Sequence, residues 1–247
     1  MKMKSKHKIS HLAMNAMMIV SITFGATHVC ADKNLLVINA SPDLEGSSRK
    51  LSQHFVEQLE SRYPNQYTIT YRDLAAGEIV PCLRSASFEV FKEGTASTSE
   101  AQTLKRLSDE LINEIEHVDA VILASPMHNL TIPAVLKAYF DLIIRAGKTF
   151  QYTSDGPVGL LQNRPVIFMS SSGGCCSETN SDAFFWPYVR HVFNYIGLSN
   201  VSYVALEGTS MSARKKTALT EAKEKLEKHL ESFHIATHGM TQDRISN

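Results

Sequence analysis

From Asn34 onward the chain alternates short apolar runs of strand length with longer segments whose apolar residues recur every three or four positions. Few architectures satisfy that alternation. A strand that is apolar on both faces has to be covered on both sides, and a helix between successive strands supplies the crossover that a parallel pair needs. The pattern therefore specifies an α/β domain, a three-layer sandwich with a parallel sheet in the middle. Leu35 to Ala40 (LLVINA), Asp119 to Ala124 (DAVILA) and Pro165 to Ser170 (PVIFMS) are the buried strands, and Tyr67 to Tyr71 and Val201 to Leu206 complete a set of five. Ser47 to Arg62 carries Leu51, Phe55 and Leu59 four apart, and Ala101 to His117 carries Leu104, Leu107, Leu111, Ile112 and Ile115, each the spacing of one apolar helical face. Thr131 to Arg145 with Pro133 near its start, Asp182 to Ile196 with Pro187 in its first turn or at a kink, and Ser212 to Phe233 are the remaining predicted helices. Right-handed crossovers and the usual small-domain strand order 2-1-3-4-5 then place a ligand crevice at the carboxyl ends of strands one and three.

The domain so defined spans residues 32–234. Ahead of it, Lys2, Lys4, Lys6 and Lys8 precede an apolar run from Ala16 to Ala26, and Val29 and Ala31 stand where a processing enzyme would look before a cut after Ala31. Residues 1–31 are thus expected to be either a signal for export to the periplasm or an N-terminal extension of a cytoplasmic protein. The run is shorter than the roughly 20 residues of a membrane span, so no stable span is expected. The first arginine is Arg49, so the twin arginines that export a folded, loaded protein are missing. Residues 235–247 lack periodicity and are expected to form a disordered tail. Lys plus Arg balance Asp plus Glu at 25 each, which offers no strong field to nucleic acid or an anionic membrane and leaves a small planar ligand as the better partner. Cys30, Cys82, Cys175 and Cys176 have no C-x-x-C spacing and are too few for a disulfide scaffold, so neither a metal site nor a covalent framework is expected.

Three polar segments follow strands one, three and four. The first, Asn39 to Arg49, holds Ser41, Gly46, Ser47 and Ser48 just ahead of a helix, whose unpaired amides and partial positive charge suit a phosphate. Ser47 is equally a helix cap in this setting. G-x-G-x-x-G and G-x-x-x-x-G-K-[ST] are both absent, which favours a monophosphate held by hydroxyls and amides over a dinucleotide or a triphosphate; flavin mononucleotide (FMN) fits. In the second segment, Ser125 to Leu130, Met127 can lie against a flat ring while the amides of His128 and Asn129 meet its heteroatoms, or Met127 is core and Asn129 caps the next helix. In the third, Ser171, Ser172, Gly173 and Gly174 bring backbone amides close to a ligand edge, or form a loop that needs positive φ. Asp73 to Glu100, with Gly77, Pro81 and Gly94, is long enough to be a lid.

Read together, these stretches resemble the FMN-dependent NADH azoreductases, also described as NADH:quinone oxidoreductases, over about Asn34 to Leu230. The likeness rests on Leu51-Ser-Gln-His-Phe-Val-Glu-Gln58, Arg72-Asp-Leu-Ala-Ala76, Ser125-Pro-Met-His-Asn129, Leu136-Lys-Ala-Tyr-Phe-Asp-Leu142, Arg145-Ala-Gly-Lys-Thr-Phe-Gln-Tyr152, Gly156-Pro-Val-Gly-Leu160 and Ser171-Ser-Gly-Gly174. The resemblance implies a flavodoxin-like fold. It implies tightly bound, non-covalent FMN, with Ser41 and Gly46 to Ser48 on the phosphate, Met127 to Leu130 along the ring, and Ser171 to Gly174 at its polar edge. It also implies NADH as co-substrate, quinones and aromatic azo compounds as acceptors in a ping-pong cycle, and a homodimer in which Phe150 and the loop after Asp73 close the pocket of either subunit. No protein nucleophile is needed; His128 is a possible proton donor to the acceptor. The chain departs from the family at His128, where Tyr is common, and at Ser172, where Arg is common, so flavin potential and acceptor preference are open at both positions. The alternative of a different class is a flavodoxin-like FMN electron carrier without NADH turnover.

Overall fold

A computed structural model describes residues 33–77, 90–91, 96–175, 182–214 and 216–239. The signal-like residues 1–31, Cys30, Cys82, Cys176, most of the long loop after β2 and the tail from 240 to 247 lie outside the described residues. Five parallel strands make the central sheet: β1 (Lys33–Asn39), β2 (Tyr67–Asp73), β3 (Ala120–Pro126), β6 (Val166–Ser171) and β7 (Val201–Leu206), in the order β2-β1-β3-β6-β7. The expected numbering 2-1-3-4-5 is not matched, because an antiparallel hairpin of β4 (Phe150–Thr153) and β5 (Gly156–Gly159) stands apart from the sheet. Each of its strands has four residues; Phe150, Tyr152 and Thr153 and the Asp155-Gly156 turn are a hairpin signal the sequence reading passed over, whereas Gly156, Pro157 and Gly159 are residues of low strand propensity.

Successive side chains of a strand face opposite sides, and here both sides are apolar. Leu35, Val37, Ile122 and Ile167 face a layer formed by α1 (Ser47–Arg62) and α5 (Ala218–Gly239), packing on Leu51, Phe55, Leu59, Leu226 and Phe233. Leu36, Ile38, Leu123 and Phe168 face α2 (Ser99–Glu116), α3 (Ala134–Ile143) and α4 (Asp182–Tyr195), meeting Leu111, Ile115, Leu136, Phe140 and Phe193. The ends of α2 are satisfied by side chains. Thr98 Oγ1 accepts from Ala101 N–H at 3.1 Å, and the buried Arg164 guanidinium donates to the carbonyls of Ile115 and Glu116 at 2.9 Å each and to that of Val118.

The boundaries of α3 and α5 depart from the sequence expectation, and Pro187 sits deeper in α4 than its first turn. α3 starts at Ala134, with Pro133 as its cap residue, because residues 128–131 form a separate tight turn. Pro187 is the sixth residue of α4, inside the helix and beyond its first turn. α5 begins at Ala218 and continues six residues beyond Phe233. Its last turns are held by contacts that carry no apolar period: His234 stacks on Tyr63 at 3.5 Å, Tyr67 Oη lies 2.6 Å from His234 Nδ1, and Thr237 Oγ1 donates to Phe233 O at 2.7 Å. Residues 235–239 of the expected tail are therefore helical. Among the described residues no helix is long and apolar enough to cross a membrane.

Acid is expected to weaken this fold in two stages. Burial holds His229 below its ordinary value near 6.5, and burial together with Lys223 does the same for His54, outweighing Glu227 and Glu57. Burial pushes Asp73 and Asp109 up, but the bonds from Arg49 and Ala75 N–H to Asp73, and from Lys105 and Arg145 to Asp109, outweigh it and leave both below the usual carboxylate value. Each group's folded value is depressed, so its stabilisation is fully present above its unfolded value and is lost as pH falls through the folded one. The urea midpoint should therefore decline first as pH drops from about 7 to about 5, and again below about 4. The His54→Gln/His229→Gln variant should lack the first decline, and a wild-type midpoint that is flat between about pH 7 and about pH 5 contradicts the assignment.

Candidate cofactor site

Strand register decides which loops meet. Asn39 pairs with Ala124, Pro126 with Ser171, and Ser171 with Leu206, so β1, β3, β6 and β7 all end at one edge of the sheet. Ala40 N–H donates to Ala124 O at 2.9 Å and Met127 N–H to Ser171 O at 2.7 Å, which carries the alignment into the loops. Neighbouring strands are about 4.8 Å apart, so the three segments singled out from sequence share one rim.

In the first turn the buried Ser41 hydroxyl donates to Asp43 O at 3.2 Å and lies 3.3 Å from Asp43 N, whose N–H it accepts. Gly46 N–H donates to the same Asp43 carbonyl at 3.0 Å. Gly46, not Ser47, occupies the cap position of α1, and no side chain caps that end. Ser47 is therefore the first helical residue, and the amides of the first turn stay open. α1 has no acidic residue in its first turn. Ser48 is buried, yet its Oγ has no hydrogen-bond partner. Buried hydroxyls are nearly always paired, so an orphan beside an uncapped helix start is what an anionic ligand would complete. The site fits a phosphate monoester.

In the second turn, His128 N–H donates to Thr131 O at 2.8 Å and Thr131 N–H returns a bond to His128 O at 3.1 Å. Asn129 (φ 48°) and Leu130 (φ 72°) both lie in the left-handed region, the geometry of a two-residue turn of type I′. That conformation costs a residue with a bulky side chain about 1–2 kcal/mol, so Leu130 is held there against its preference. Asn129 does not cap α3, which corrects one of its two expected roles. Met127 is half-buried against the core, while His128, Asn129 and Leu130 are exposed on the rim.

The third turn is pinned by a fourth. Thr209 N–H donates to Ser172 O at 3.1 Å, Ser210 N–H to Gly173 O at 3.0 Å, and Gly208 N–H to Gly174 O at 3.0 Å. In a trans peptide the next N–H points opposite to the carbonyl, so the Gly173 and Gly174 amides are turned away from the fourth loop. Neither glycine has positive φ. A Cβ on Gly173 would sit 2.8 Å from Ser210 Oγ, so close approach is what that glycine serves. Ser171 and Ser172 are buried, and Ser172 Oγ donates to Gly174 O at 2.8 Å, so this hydroxyl shapes the turn.

Sequence reasoning missed Gly208, Thr209 and Ser210, although the Gly-Thr-Ser run after the fifth sheet strand carried the same signal as the other loops. It also missed the roles of Arg49 and Asp73, which lie behind the first turn, although Asp73 stands in the quoted Arg72-Asp-Leu-Ala-Ala76 stretch. Phe150 is not at this rim. It lines a cavity of about 480 Å³ with Tyr152, Tyr188, His191 and Tyr195. That cavity lies toward the amino ends of the strands, where Leu161 N–H bonds Ile196 O and Val166 N–H bonds Asn200 O, so Phe150 cannot close the rim of its own chain.

A doubly wound sheet with a phosphate-type turn after its first strand and three further loops on the same edge defines a flavodoxin-like protein, and the family profile described as "Flavodoxin-like fold" matches residues 33–230. The chain is 37% identical over 204 residues to the FMN-dependent NADH:quinone oxidoreductase of Hyphomonas neptunium, across 81% of this chain and 97% of that one. It is 40% identical over 189 residues to the Yersinia pestis protein of the same name, across 70% and 90%. The crystal structure of an FMN-dependent NADH-azoreductase from Bacillus anthracis in complex with FMN matches with a TM-score of 0.72 at 27% identity, over 83% of this chain and 99% of that one. The chain belongs to the flavodoxin-like family of FMN-dependent NADH:quinone oxidoreductases.

Proposed function

We propose that this protein is an FMN-dependent oxidoreductase that uses NADH to reduce quinones by two electrons and to cleave aromatic azo bonds. The observation that carries the reading is the orphaned, buried Ser48 hydroxyl at an uncapped helix start, on a rim shared with two turns that present backbone amides. FMN, when bound, would supply the two-electron redox chemistry between NADH and the acceptor. The chain binds, orients and shields. Ser41 and Gly46 to Ser48 hold the phosphate, Met127 to Leu130 lie along the ring, and Ser171 to Gly174 meet its polar edge. Steady-state NADH oxidation by the flavin-loaded protein with a quinone tests this directly: sustained turnover is expected, and binding of FMN without turnover would make the protein a carrier.

His128, exposed on the second turn, would donate a proton to the reduced acceptor in this reading. His128→Phe should lower kcat by about 100-fold and remove a limb of the pH–rate profile. An unchanged profile rejects the role.

The protein acts as a homodimer in this reading. Tyr152, Val158 and Leu160 are exposed on the hairpin beside the aromatic cavity, and Leu44, Leu130 and Phe184 are exposed on or next to the rim. These apolar surfaces sit toward opposite edges of one chain, and a two-fold arrangement lets each hairpin cover the partner's rim. Sedimentation equilibrium should give twice the chain mass, and a monomer at micromolar concentration contradicts it.

A further inference from the structure

The phosphate turn is braced from behind by an ion pair. Ser41 is buried, and its carbonyl accepts from Arg49, whose Nε and Nη2 donate to it at 3.0 and 2.6 Å. The same Nη2 donates to Asp73 Oδ1 at 2.6 Å, and Asp73 Oδ1 also accepts Ala75 N–H at 3.0 Å. One guanidinium therefore ties together the turn after β1, the first turn of α1 and the end of β2. Both side chains are mostly shielded, at 13% and 33% exposure.

A cation in the first turn of a helix opposes the helix dipole, so Arg49 is poorly placed for helix stability alone. With Asp73 neutralising it from behind, the positive end of α1 remains open on the side of Ser48.

We propose that Arg49 and Asp73 are positioning residues for the flavin phosphate: the brace holds Ser41 and the Gly46–Ser48 amides in their binding arrangement before the cofactor arrives. The proposal rests on the assignment of this turn to the FMN phosphate. Its signature is selective, because loosening the turn removes what the phosphate contributes and leaves binding of the ring untouched.

The test compares FMN with riboflavin, which has the same ring and no phosphate, on the full chain stripped of flavin. Wild type should prefer FMN by about 100-fold or more. Arg49→Ala and Asp73→Asn should each weaken FMN by about tenfold or more while riboflavin stays within about twofold, and the double variant should be no worse than the weaker single. Arg49→Lys, which keeps the charge and loses the fork, should resemble Arg49→Ala. Full recovery in Arg49→Lys means that charge acts on the phosphate directly and overturns the brace. Equal losses for both ligands, or none, overturn it as well. Should Arg49→Ala fail to fold, the near-isosteric Asp73→Asn carries the same comparison. A wild type that binds FMN and riboflavin alike refutes the phosphate assignment itself, a different outcome from an unaltered ratio in the variants.

Discussion

Gly46→Val should bind FMN about 100-fold more weakly than wild type, or about 2.7 kcal/mol, while melting within a few degrees of it. Gly46 has φ −59° and ψ 144°, values open to any residue, so the cost comes from contact and not from backbone conformation. A Cβ at that position would meet Ser41 Oγ at 2.5 Å and Asp43 O at 2.8 Å. The serine can rotate away only by losing its two contacts with Asp43, and the Asp43 oxygen is backbone, so the turn itself must open. Overpacking of this kind costs about 1–3 kcal/mol, and although Ser41 and Gly46 are buried, the exposed residues 42–45 between them let the turn open while the core stays packed. Isothermal titration with FMN checks the affinity and a thermal melt checks the fold. FMN binding within about threefold of wild type would show that the turn does not hold the phosphate.

Arg164→Met should have the opposite profile, a large loss of stability with FMN affinity preserved. Arg164 is 3% exposed and satisfies three carbonyls at and just beyond the end of α2. Methionine keeps the apolar stem and removes every donor, leaving buried acceptors unpaired at a cost of about 4 kcal/mol. For a domain of this size that lowers the melting midpoint by roughly 10 °C. Arg164 precedes β6 and so lies at the amino edge, away from the rim. A midpoint within about 2 °C of wild type would mean that water or another side chain satisfies those carbonyls equally well.

How legible each part was follows from the forces behind it. The three central sheet strands were readable because both faces are buried, which demands unbroken apolar runs such as Leu35–Ile38 and Val121–Leu123, whereas the partly exposed edge strands β2 and β7 were readable from their place in the strand–helix alternation. The hairpin Phe150–Gly159 was missed, since its strands have four residues each and the second, Gly-Pro-Val-Gly, has little strand propensity. The end of α5 was missed for a related reason: Tyr63, Tyr67 and His234 hold it by ring stacking and a hydrogen bond, which leave no periodicity. At the site, the location of the turns followed from chain order alone, because register forces loops after adjacent parallel strands to one edge. Their internal geometry did not. Nothing about Leu130 announces left-handed backbone, and Ser47 is a better cap on propensity than Gly46, yet the glycine takes that place and leaves the helix start open. Arg49 and Asp73 meet only once β1 and β2 are paired, so no local pattern could join them.

The most direct test of the cradle is the visible spectrum of the purified full chain, stripped of flavin and titrated with FMN, then NADH, then a quinone. Stoichiometric uptake of yellow colour, bleaching by NADH and return of the colour with quinone are expected. Protein that stays colourless after FMN is added and the excess removed would contradict the site, and with it the redox assignment.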